Sequence, residues 1–162
     1  MDTVSKMDAP MPDTARVTSP FLEKVKRRAG LEDLYDARDI AEVVFRTMRD
    51  MMTTAAADRV AAELEGKMLA TGEGASQDRL IEIWKDSNLL VRFLSRVRPP
   101  LKIEPETFIF RISQEAGLSR GIAPEEAIEA VFAALKDELS QERIQEISEF
   151  LPGILRQAWK AA

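Results

Sequence analysis

Neither cysteine nor histidine occurs in the 162 residues of the chain. Disulfides, thiolate nucleophiles, His-assisted Ser or Cys triads and the common zinc sites each need one or the other, so these chemistries are excluded. The di-iron carboxylate bundle, natural to consider in a Glu-rich helical chain, needs a Glu-x-x-His on each of two helices and fails for the same reason. An enzyme would have to rely on Asp, Glu, Lys, Tyr35, Ser and Thr. Long apolar runs are also missing: charges such as Glu42 and Arg92 interrupt every stretch that could approach the roughly 20 residues of a membrane-spanning helix. The opening MDTVSKMDAPMPDTARVTSP has no apolar leader core. The expectation is a cytoplasmic protein that does not insert into membranes. Positive charge is in deficit, with 23 Lys and Arg against 28 Asp and Glu, and a net charge of −5 opposes generic binding to nucleic acid.

What the sequence does contain is a repetition. The stretch FLEKVKRRAGL at 21–31 has the skeleton of FIFRISQEAGL at 108–118, and residues 21–69 align with 108–156 at a constant shift of 87 without a gap. Nine of the 49 pairs are identical, among them Phe21/Phe108, Gly30/Gly117, Phe45/Phe132 and Gly66/Gly153. Apolar positions keep their class as well, as in Val25/Ile112, Met48/Leu135 and Leu64/Leu151. Each unit reads as three helices. Phe21, Val25 and Ala29, like Phe108, Ile112 and Ala116, recur every fourth residue, and the glycine that follows suits a left-handed helix stop. Next comes a stripe through Ala41, Val44, Phe45, Met48 and Met52, matched by Ile128, Val131, Phe132, Leu135 and Leu139. The third helix runs through Val60, Leu64 and Met68, or through Ile144, Ile147 and Leu151 after an N-cap at Ser140. Pro152 breaks it in the second copy and leaves a short last helix through Leu155 and Trp159.

Forty-nine residues bury too little apolar surface to stand alone. The expected fold is therefore one all-α domain, 19–162, of two pseudo-symmetric three-helix units (21–69 and 108–156). A helical central insert, 70–107, lies between them, and a disordered tail, 1–18, precedes them. In the insert, Leu80, Ile83 and Trp84 define one helix and Leu90, Val91, Leu94 and Val97 another, before RPPLKIEP runs extended.

Chemistry-bearing patterns are few. GEGASQD lacks the third glycine and the Lys-Ser/Thr of phosphate loops, so it reads as a connector. Basic clusters occur at Lys24, Lys26, Arg27 and Arg28, and at Arg92, Arg96, Arg98 and Lys102; near them only Phe93 offers an aromatic ring for stacking on a base. Trp84 and Trp159 read as core. Were Trp84 exposed beside Phe93 and the arginines, it would form an interface anchor. The candidate interaction residues are thus Trp84, Phe93, Arg92, Arg96 and Arg98. Glu125/Glu129 and Glu142/Glu146 are the carboxylate pairs open to acid–base work, with helix surface as their expected role. No catalytic, cofactor-binding or metal-binding residue stands out. The halves differ in charge: 21–69 carries nine basic and ten acidic groups, net −1, and 108–156 five and nine, net −4.

The F-x-x-x-[VI]-x-x-x-A-G-L helices, the [AI]-x-x-V-F stripes and the E-F-L-P-G segment at 149–153 resemble the bacterial family known as domain of unknown function twenty-two sixty-seven, over about residues 19–158. The phrasing of FLSRVRPPLKI and LSQERIQEI is similar to that of a cyanobacterial branch. The resemblance implies an all-helical fold and supplies no activity, cofactor or catalytic residue. The chain departs from it in having Glu65 where the second copy has Pro152, and in its long central segment. Together these features point to a non-enzymatic adaptor or assembly-type accessory protein that binds another protein, or a second copy of itself, through the central segment. The alternative is a small-molecule or anion site in the crevice between the copies, using Arg92, Arg96 or Arg98; a carboxylate-based enzyme comes third.

Overall fold

The computed structural model describes residues 20–70, 75–85, 100–118 and 121–162, and for 68–70 and 75–79 the backbone alone. Among the described residues there are eight helices and no strand: α1 (Pro20–Ala29), α2 (Leu34–Asp50), α3 (Thr54–Ala70), α4 (Ala75–Trp84), α5 (Pro105–Glu115), α6 (Pro124–Lys136), α7 (Gln141–Phe150) and α8 (Gly153–Ala161). The expected tail lies outside these residues, as does the second helix expected in the insert.

Local chemistry sets the helix ends. Gly30 adopts φ +68° and lets the Leu31 N–H reach back to the Lys26 carbonyl at 2.9 Å, the Schellman closure of α1. Gly117, at φ +59°, likewise follows the end of α5 in the left-handed region. Asp33 caps α2 by accepting from the Asp36 N–H at 2.9 Å, and Ser140 caps α7. Pro105 and Pro124 open α5 and α6, where a missing N–H costs nothing.

The stripes on α2 and α6 are buried and meet at the centre, with α1 packed across α6 and α5 across α2. Phe45 lies between Phe21 at 5.6 Å and Trp84 at 5.2 Å, and Phe132 lies between Phe108 at 6.4 Å and Trp159 at 5.1 Å, measured between ring centroids. Each such pair contributes about 0.5–1.5 kcal/mol beyond its buried area. α4 therefore differs from its reading as part of a separate insert. It packs on α2 and α3, its end held by Arg49 Nη1 donating to the Ile83 carbonyl at 3.0 Å and by the Lys85–Glu65 pair. α8 sits against α6 and α7 in the same manner, with Lys136 Nζ donating to the Trp159 carbonyl at 2.7 Å. A fourth helix thus packs on each set of three that the sequence reading assigned to a unit.

Some of the contacts between residues 21–69 and 108–156 join positions that the shift of 87 relates. Lys24 pairs with Asp137 at 3.2 Å, and Arg111 with Asp50 at 3.5 Å; adding 87 to Lys24 and to Asp50 gives Arg111 and Asp137. Arg59 meets Glu146, its own counterpart 87 residues on, with the closest contact at 2.8 Å. The Gly66/Gly153 identity has no such meaning. Gly66 lies inside α3, whereas Gly153 has φ +48° at the start of α8.

Candidate interaction surface

Of the predicted interaction residues, Arg92, Phe93, Arg96 and Arg98 lie outside the described residues. Trp84 is only 1% exposed, so its exposed-anchor reading is corrected: it is a core residue, because α4 turns the face bearing Leu80, Ile81 and Trp84 inward. Lys24 of the first basic cluster faces Asp137 and Glu138. Glu142 and Glu146 line neither of the two concavities described below. They flank Arg143, whose guanidinium is buried between α7 and α3 and also approaches Glu63. Arg143 Nε lies 3.2 Å from Glu63 Oε2 but lacks the alignment of a hydrogen bond, so the contact is ionic. Sequence reasoning missed this cluster because Arg143 stands between polar neighbours that read as a solvated face.

Two carboxyl-terminal features of the fold leave open apolar concavities. The larger, about 480 Å³, forms where the extended run Pro100–Glu104 passes the elbow between α7 and α8. Met51 and Leu151 are buried at its base, Ile103 and Phe150 line it, and Leu101 stands 41% exposed at its edge. The Leu101 N–H donates to the Asp50 carbonyl at 2.9 Å, which fixes the extended run to the end of α2. Pro152 ends α7 and Arg156 stiffens the elbow: its Nε donates to the carbonyls of Ser148 at 2.8 Å and Leu151 at 3.0 Å, and its Nη2 to that of Glu149 at 3.3 Å. Its charge is thus directed at helix-end carbonyls, where a cation is favourable. The second concavity, about 330 Å³, lies between α5, α6 and α8.

Burial, reinforced by Asp33, Asp39 and Glu32, raises the Asp36 pKa above the usual aspartate value, but this residue sits at the start of α2, away from both concavities. The hydrogen bond to Glu146 raises that of Arg59. Among the described residues no group of three or more Asp or Glu could hold a metal ion, and no helix is long and apolar enough to cross a membrane.

The helix stops, the paired inner phenylalanines and the leucine-proline elbow fall within residues 18–158, which match the family described as Uncharacterized conserved protein (DUF2267). The chain belongs to that family. Membership in DUF2267 accounts for nearly the whole chain and carries no assigned activity. No curated protein matches this DUF2267 chain.

Proposed function

We propose that this protein is a non-enzymatic accessory protein of the cytoplasm, an adaptor or assembly factor, that docks another protein where its central segment ends. The observation that carries this reading is the preformed concavity beside Leu101: apolar at its base, walled by an elbow that Arg156 stiffens, and edged by an exposed leucine. Such a site takes a side chain from a partner helix or loop at small ordering cost. The reading of the halves as copies of one helical unit is supported by the matching ring contacts and by reciprocal ion pairs at a spacing of 87.

A small-molecule ligand in the same crevice is the second reading, favoured by the concavity's volume and by Lys102 on its lining. Affinity capture at modest salt separates the two. Wild type and Leu101→Asp, matched for fold by circular dichroism, should differ in a retained protein, with an Arg92/Arg96/Arg98 charge-reversed form reporting on the rest of the central segment. An identical set of captured proteins from wild type and both variants counts against protein docking. A saturable small-molecule fraction released on denaturing wild type would then support the ligand.

A further inference from the structure

The second concavity supports an inference of its own. Its floor is Ile128 and Leu155, both buried; Ile109 and Ala158 are half-buried on its walls, and Ile154 stands 53% exposed at its lip. Lys136 fixes one wall by donating to the carbonyls of Trp159 and Ala162, at 2.7 and 2.8 Å. Glu125 and Glu129 rise along the opposite side, one turn apart on α6. Like charges at that spacing repel. The α6 dipole compensates Glu125 in the first turn but not Glu129 a turn later.

Neither carboxylate has an ion-pair partner among the described residues. At the corresponding positions 87 residues earlier the problem does not arise: Arg38 pairs with Glu42 at 3.8 Å, and its guanidinium lies over the Tyr35 ring at 5.2 Å. The first half neutralises its own helix surface. The second half leaves two negative charges beside an open apolar groove.

We infer that this groove docks an amphipathic helix of a partner protein, bearing lysine or arginine next to its apolar anchors. The groove has room for apolar side chains of a helix laid across it, and its acidic rim is complementary to a cationic occupant while repelling an anionic membrane surface or nucleic acid. The overall charge of −5 likewise opposes a second copy as the occupant. This face shares no lining residue with the Leu101 concavity.

Two hydrocarbon-stapled helical peptides with one leucine stripe, flanked by lysines in one and by glutamates in the other, test the inference on the full chain by fluorescence anisotropy. The lysine peptide should bind roughly fivefold or more tightly, with the advantage shrinking at high salt. Glu125→Lys/Glu129→Lys should reverse the preference, and Glu125→Gln/Glu129→Gln should erase it, which keeps the test decisive if the lysine variant folds poorly. Ile154→Asp should weaken both peptides about tenfold or more. Equal affinity for the two peptides, or binding indifferent to Ile154→Asp, overturns the proposal. So does self-association, seen by sedimentation, that Ile154→Asp abolishes, since the occupant would then be a second copy.

Discussion

Trp84 and Trp159 hold the same place against Phe45 and Phe132 yet differ at one atom. Trp159 Nε1 donates to the Ile144 carbonyl at 2.9 Å, whereas Trp84 Nε1 is buried and without a hydrogen-bond partner among the described residues. Replacing either by phenylalanine removes ring volume, but only Trp159→Phe also removes a hydrogen bond. Chemical denaturation should show Trp159→Phe as the costlier change by about 1–2 kcal/mol. The glycines separate in the same spirit. Gly66→Ala, in the interior of α3 with open space beside it, should stabilise by about 0.4–1 kcal/mol, and Gly30→Ala, at φ +68°, should destabilise by about 1 kcal/mol. For Asp36, the raised pKa means the folded state holds its proton more tightly than the unfolded chain does. Its contribution is favourable in acid and is lost as pH rises through the folded value. The stability gained in Asp36→Asn, about 0.5 kcal/mol or less, should therefore be greatest near neutrality and shrink toward pH 3, as followed by urea titrations across that range.

At the scale of the helix, periodicity and stop signals in the sequence were enough for α1–α3 and α5–α8. Apolar residues spaced every three or four positions have no other way to share one face. The place of α4 was less visible. The gapless shift of 87 runs on past Glu65 and Pro152, but α3 continues to Ala70 whereas α7 stops at Phe150, so the fourth helices correspond at a different offset. Leu80/Leu155 and Trp84/Trp159, both 75 apart, were the signal. The buried Arg143 could not be read at all, since only the approach of α3 reveals which polar face is covered. Arg143→Ala removes the charge that Glu63 and Glu146 share and should cost about 3 kcal/mol in thermal or urea unfolding. Lys24→Ala, at a half-exposed pair, should cost about 1 kcal/mol or less.

For the molecule as a whole, one core runs through α1, α2, α5 and α6, so unfolding either half would expose apolar faces of the other. Calorimetry should show one transition, and Phe45→Ala or Phe132→Ala, each costing about 3–5 kcal/mol, should lower that same transition. Of the interaction surfaces, the extended run before α5 and the Glu125/Glu129 pair were present in the sequence, but their cavities depend on how α8 lies against α5 and α6. The meeting of Arg59 with Glu146 has a further implication. In an assembly of two identical chains, a position on the axis confronts itself, so one gene can place there only two arginines or two glutamates. On the proposed duplication, joining the copies in one polypeptide released each side to mutate without the other, and opposite signs could settle where identity had once forced repulsion.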